Sequence, residues 1–96
     1  HSGLYSIRSG IKGIKMQDYK IVVLLPCYNE SASIKNVVKG ILAYVPDVIV
    51  VDDGSADNTS TEAEDAGAYV LRHSLNKGKG FALRTGFEYI KEHDLN

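Results

Sequence analysis

One cysteine, Cys27, stands among 96 residues, which excludes an intramolecular disulfide and a multi-cysteine zinc site and predicts a reducing, intracellular setting. Long apolar runs are missing too. Ile21–Leu25 and Val48–Val51 fall far short of the ~20 residues that cross a bilayer, and no signal-peptide pattern opens the chain. Neither sign of charge dominates: Lys+Arg 11 against Asp+Glu 12 leaves a formal net charge of -1. No global field then draws the protein onto nucleic acid or acidic membranes, so nucleic acid is not an expected partner and any phosphate recognition must be local. The two best-known glycine fingerprints are absent as well. No Gly-x-Gly-x-x-Gly follows the first apolar run and no Gly-x-x-x-x-Gly-Lys-Ser/Thr occurs, which argues against dinucleotide binding and nucleoside triphosphate hydrolysis.

What remains is the composition of one ordinary globular domain, 44% hydrophobic and 24% charged. A chain of this length buries only roughly 60 to 65% of its unfolded surface, so a bare strand edge is a liability. Residues 1–18 stand apart: they hold three glycines, the basic residues Arg8, Lys12 and Lys15, and no acid before Asp18. Leu4, Ile7, Ile11 and Ile14 follow helical spacing and suit a membrane or partner face. Gly10 and Gly13 oppose that helix by about 1 kcal/mol each. Residues 1–18 are therefore expected to be a leader or tag-like extension, with Met16 a candidate start, and 19–96 the domain.

From Lys20 onward, short apolar runs alternate with helical segments, the pattern of βαβ units around a parallel sheet. Ile21–Leu25 is apolar at every position, as a strand covered on both faces must be. Ile34, Val37, Val38, Ile41, Leu42 and Val45 then draw one stripe down a helix that begins near Ser31 and stops at Pro46. Val48–Val51 forms the second strand, and Asp52-Asp53-Gly54-Ser55 turns it. Ser55 or Asp57 is placed to cap a second helix, which Gly67 ends in the left-handed conformation. Ala68–Arg72 makes the third strand, and Ala82, Leu83, Gly86, Phe87 and Ile90 face inward from the third helix. Right-handed crossovers place the strands in the order 3-2-1. Ligands of such α/β sheets bind beyond the carboxyl ends of the strands, where Pro26–Glu30, Asp52–Ser55 and the loop around Asn76 converge.

Tyr28 opens a helix after a strand, so its ring either lies against a nucleobase, a contact worth ~1–3 kcal/mol in nucleic-acid systems, or packs partly buried. Glu30 either accepts hydrogen bonds from a base edge or ribose, or sits in the first helical turn for the dipole alone. Cys27 reads as a small packing residue or as a thiol activated by a helix N-terminus. Period-two alternation sends Asp52 and Asp53 to opposite faces, so the pair is a poor chelate and one carboxylate should face a ligand. That carboxylate complements the ring N–H of uracil, or the N–H and amino group of guanine, unless both acids only cap the turn. Asn76-Lys77-Gly78-Lys79-Gly80 is a basic loop entering a helix, either solvated or aimed at a diphosphate.

Taken in order, VVLLPCYNESASI, VIVVDDGSADNT and LNKGKGFALRTGF, spread from Lys20 to about Tyr89, resemble the inverting family 2 glycosyltransferases, and within them the polyprenyl-phosphate sugar transferases. The resemblance implies the Rossmann-like α/β half of a GT-A nucleotide-diphospho-sugar transferase fold. It implies that Pro26, Tyr28, Glu30, Val51 and Asp53 line a pocket for a UDP or GDP sugar, with Asn76–Gly86 beneath the nucleotide and Lys79 and Arg84 contributing. The reaction implied is inverting transfer by direct displacement to a lipid phosphate such as polyprenyl phosphate, or to a glycan, at the cytoplasmic face of a membrane. Such enzymes hold Mg or Mn with a later Asp-x-Asp, which does not occur in these 96 residues, so neither a metal ligand nor a catalytic residue is assigned here. The expectation is therefore the nucleotide-binding part of a glycosyltransferase that meets the membrane only through other segments; the alternative is a non-catalytic nucleotide-binding module. The outer edge of the first strand should be bare, and either residues 1–18 or a second copy of the chain should cover it.

Overall fold

A run such as Val22–Leu25 offers no polar side chain to water, so it is stable only with a layer on each side. The computed structural model describes residues 5–9 and 20–93. They form β1 (Tyr5–Ser9), β2 (Lys20–Cys27), α1 (Ile34–Leu42), β3 (Asp47–Asp52), α2 (Thr59–Asp65), β4 (Tyr69–Arg72) and α3 (Lys79–Glu92). β2, β3 and β4 are parallel and lie in the order β4-β3-β2, the expected 3-2-1 of the three parallel strands. The register sets Pro26 beside Val51, Cys27 beside Asp52, and Asp52 beside Arg72.

Alternation along the strands divides the core in two. Val23, Leu25, Cys27, Val48 and Val50 pack with Ile34 and Val38 of α1 and Ala63 of α2. Val22, Leu24, Ile49 and Val51 pack with Ala82 and Ile90 of α3. β4 obeys the same parity, with Val70 on the α1/α2 side and Leu71 on the α3 side. This parity carries past the strand ends and assigns each polar residue of the rim to a side.

The helices depart from their sequence pattern in detail. Residues 31–33 form a turn, closed by donation from the Ser33 and Ile34 N–H groups to the Glu30 carbonyl, so α1 starts at Ile34 rather than near Ser31. Val37 is 40% exposed, because α1 meets the sheet along Ile34 and Val38 with Ile41 and Leu42 at the margin. Phe87 is likewise exposed, since α3 turns Gly86 toward the sheet instead. A Cβ on Gly86 would stand 2.3 Å from Leu24 Cδ1, so a larger residue there would force the buried Leu24 side chain to move. Gly67, at φ +106°, ends α2 as its place in the sequence predicts.

The outer edge of β2 is covered. β1 runs antiparallel to it, pairing Tyr5 with Leu24 through Ser9 with Lys20. Residues 5–9, assigned by sequence to a leader or tag-like extension with glycines that oppose a helix, are thus extended, because the N–H and C=O groups along the edge of β2 gain a ladder from them. Leu4, Ile11, Ile14 and Met16 lie outside the described residues. Self-association through a bare β2 edge loses its surface over Lys20–Leu24, where β1 already makes the pairing. No helix among the described residues is long and apolar enough to cross a membrane.

Candidate functional site

The carboxyl ends of the three parallel strands are stitched together by side chains that bond across the loops. Asn29 adopts φ 55°, an accessible conformation for asparagine; its N–H donates to Ser55 Oγ at 2.8 Å and its Oδ1 accepts from the Ala56 N–H at 2.8 Å. The Glu30 N–H donates to Thr59 Oγ1 at 2.9 Å, and the Ser31 N–H to Asp57 Oδ2 at 3.2 Å. These four bonds fasten the loop after β2 to the loop after β3.

Asp52 follows the parity of Val48 and Val50 toward α2. It is fully buried, accepting from the Ser55 N–H at 3.0 Å, Ser60 Oγ at 2.5 Å and the Arg72 guanidinium at 2.7 Å. Arg72 also donates to the Ser55 carbonyl at 2.7 Å. Ser55 therefore serves the loop rather than capping α2 as its sequence position suggests. Asp57 does not occupy the N-cap position either, which belongs to Asn58 without a side-chain capping bond; its Oδ1 accepts from the Thr59 N–H at 3.0 Å and from the Thr59 hydroxyl.

The Thr59 hydroxyl is the largest influence on Asp57; with the Ser31 and Thr59 N–H groups it outweighs the opposing effect of burial and pulls the pKa from 3.8 to about 2. A lowered folded-state pKa means that stability is present above 3.8 and is lost as pH falls toward about 2. In a Thr59→Val variant, NMR titration should find the Asp57 carboxyl moved up toward 3.8, with less stability lost on acidification across that window. An Asp57 still titrating near 2 would show that another group sets its pKa.

Asp53 follows the parity of Ile49 and Val51 toward α3. Its Oδ1 accepts from the Lys77 N–H and from His73 Nδ1, each at 2.8 Å, and its Oδ2 from the Gly78 N–H at 2.8 Å. Burial opposes ionisation of Asp53, but donation from His73, Lys77 and Gly78 outweighs it and holds the carboxyl below its ordinary pKa. His73 is itself buried, with Nε2 2.8 Å from Thr85 Oγ1 and its ring edge-on to Phe81. Two backbone N–H groups of the basic loop, at Lys77 and Gly78, thus hold a carboxylate of the protein. Gly78, at φ +97°, also starts α3 by accepting from the Ala82 N–H.

Above Asp53 lies a hollow of about 270 Å³ lined by Pro26, Cys27, Tyr28, Asp53, Asn76, Gly78 and Lys79. Of the seven residues that the resemblance assigns to the pocket, it brings together Pro26, Tyr28, Asp53 and Lys79, with Cys27, Asn76 and Gly78 beside them. Tyr28 is 40% exposed and Lys79 is exposed, so an aromatic face and an ammonium stand at the rim. Glu30, Val51 and Arg84 lie outside the lining. Glu30 sits in the turn against Thr59, Val51 is fully buried beneath α3, and Arg84 is exposed further along α3. His73 and Thr85 were not legible as site residues from motif spacing. The signal that finds His73 is strand parity: two residues past Leu71, it shares a face with Asp53, and the Asp52–Arg72 pairing sets the two side by side.

Size and chemistry suit part of a nucleotide. Ligand pockets run to roughly 300–1,000 Å³, so this hollow fits a base with its ribose rather than a whole sugar nucleotide. Among the described residues no three His, Cys, Asp or Glu side chains are grouped to hold a metal ion, and the Asp53 oxygens are already turned to N–H donors.

The model of glycosyl transferase family 2 matches residues 22–92, three strands and three helices of the structure. The chain belongs to that family. Protein RfbJ of Shigella flexneri is 42% identical over 75 residues, a match covering 75% of this chain and 57% of the relative. UDP-N-acetylglucosamine–dolichyl-phosphate N-acetylglucosaminyltransferase of Methanococcus voltae is 35% identical, covering 80% of this chain and 38% of its own. Among solved structures, glucosyl-3-phosphoglycerate synthase of Mycobacterium tuberculosis superposes with a TM-score of 0.59 at 34% identity, over 68% of this chain and 28% of that one. The same synthase is solved with Mn2+, UDP and glucosyl-3-phosphoglycerate. This family 2 chain thus spans less than two thirds of the length of each, and its three parallel strands are those of a GT-A glycosyltransferase.

Proposed function

We propose that these residues form the base and ribose site of a glycosyltransferase that takes its sugar from a uridine diphosphate sugar and passes it, with inversion, to a lipid phosphate. The observation that carries the reading is the hollow itself, in which an exposed tyrosine ring, a buried ionised aspartate and a lysine surround space for one nucleoside. Tyr28 supplies the stacking face, Asp53 an acceptor for a base N–H, and Lys79 a cation beside the diphosphate. The choice of uridine draws on the synthase solved with UDP, and that of a lipid phosphate on the dolichyl-phosphate transferase. Mn2+ or Mg2+, with which the neighbouring synthase is solved, would neutralise charge on the leaving diphosphate; no donor set for it is grouped among the described residues, and residues outside them would hold it.

Calorimetry on the full chain tests the site, and a transfer assay with UDP-sugars and polyprenyl phosphate tests the reaction. UDP should bind this chain at submillimolar concentration, and a longer form that supplies the metal-holding residues should move a labelled sugar to the lipid. Absence of heat with UDP at millimolar concentration would remove the site. Binding without transfer would leave a nucleotide-binding module.

A further inference from the structure

We propose that His73 is a positioning residue that sets the base preference of this site, by filling Asp53 Oδ1 so that the carboxylate keeps one acceptor position for a ligand. The inference rests on the nucleotide reading of the hollow and goes beyond it to the identity of the base.

An ionised carboxylate offers about four lone-pair sites, two on each oxygen. On Oδ1 both are taken, by His73 Nδ1 at 2.8 Å and the Lys77 N–H at 2.8 Å. On Oδ2 the Gly78 N–H takes one at 2.8 Å. The remaining position belongs to Oδ2, and Asp53 lines the hollow. A base with a single ring N–H flanked by carbonyls, as in uracil, matches one acceptor. Guanine presents a ring N–H and an amino group side by side, and pairs fully only with a carboxylate that offers one acceptor on each oxygen. Here its second donor would meet a saturated Oδ1 and be left unpaired as it lost water.

The donor that saturates Oδ1 is a side chain held from behind. His73 is buried, its Nε2 lies 2.8 Å from Thr85 Oγ1, and Phe81 stands against the ring edge. Asp53 accepts only, so Nδ1 carries the hydrogen between them. The ring has no route to rotate away without giving up both contacts, and the carboxylate is held in one orientation. His73 does not line the hollow; it acts on the ligand through Asp53.

Two near-isosteric variants separate this role from a merely structural one. In His73→Asn the amide nitrogen stands where Nδ1 was and still donates to Asp53, whereas in His73→Gln the amide reaches Thr85 and leaves Asp53 Oδ1 one donor short. UDP and GDP are titrated into the full chain and into both variants by calorimetry, with thermal melts confirming that each is folded. The wild type and His73→Asn should prefer UDP by about tenfold or more, one unpaired donor being worth a factor of that order. His73→Gln should lose most of that preference by gaining GDP affinity. A preference unchanged in His73→Gln, or lost equally in both variants, overturns the role of His73 while leaving the nucleotide site standing. Failure of the wild type to bind either nucleotide would overturn the site and the inference together.

Discussion

Gly54→Ala should lower stability by about 2–5 kcal/mol and abolish UDP binding, the sum of a left-handed backbone forced on an alanine and a steric conflict that cannot relax. Gly54 sits at φ +79°, and a Cβ there would lie 2.6 Å from the Asn76 nitrogen and 2.7 Å from the Leu75 carbonyl carbon. Both are main-chain atoms, so no rotamer change relieves the contact. Nor can the loop slide away cheaply, because one and two residues past Asn76 the Lys77 and Gly78 N–H groups are bonded to Asp53, the neighbour of Gly54 in sequence. Moving Asn76 outward would break those bonds and open the hollow that Asn76, Gly78 and Asp53 line. Chemical denaturation with calorimetry of UDP binding measures both effects. An alanine variant that melts and binds like the wild type would show that the loop is not seated on this turn.

Asp53→Ala and Asp52→Ala should separate binding from stability. Removing Asp53 withdraws the proposed ligand acceptor and at once frees His73, the Lys77 N–H and the Gly78 N–H, three donors that hold the floor of the hollow. UDP affinity should fall by about a hundredfold, the order expected for losing a charged hydrogen bond in a preorganised site. Asp52 is fully buried on the other face and bonds Ser55, Ser60 and Arg72, so its loss should appear mainly as lower stability, by about 2–3 kcal/mol. Arg72 is 46% exposed at its side chain and recovers much of its lost interaction from water, which keeps that figure below the cost of orphaning a buried ion. UDP titration of both variants, corrected for the folded fraction, checks the ranking. Stronger damage to binding from Asp52→Ala would mean that the ligand lies on the α2 side of the sheet.

Much of this was legible before any coordinates because it follows from local pattern. Unbroken apolar runs at 21–25 and 48–51 required cover on both faces, and the two halves of the core provide it. Alternation separated Asp52 from Asp53, the family resemblance singled out Asp53, and Asp53 is the one that lines the hollow. Pattern was less informative where a helix decides its own roll. Val37 and Phe87 belong to apolar stripes by spacing yet are 40% and 47% exposed, because closer packing by Val38 and Gly86 turned them outward. The polar motif residues were harder to divide still. Asn29, Ser55 and Asp57 look equally suited to a ligand in one dimension, but each is committed to a loop 26 or 27 residues away.

By itself, then, the sequence determined the class of fold, the order of the parallel strands, the end of the sheet where the hollow lies and the family, since each depends on spacing within one segment or on motifs read in order. Tertiary structure alone decided which polar groups bind loops and which face space, that β1 pairs the outer edge of β2, and that His73 stands behind Asp53. The physical reason is range: hydrophobic periodicity is written in neighbouring residues, whereas a hydrogen bond between residues twenty or more apart exists only once the core has brought their strands into register.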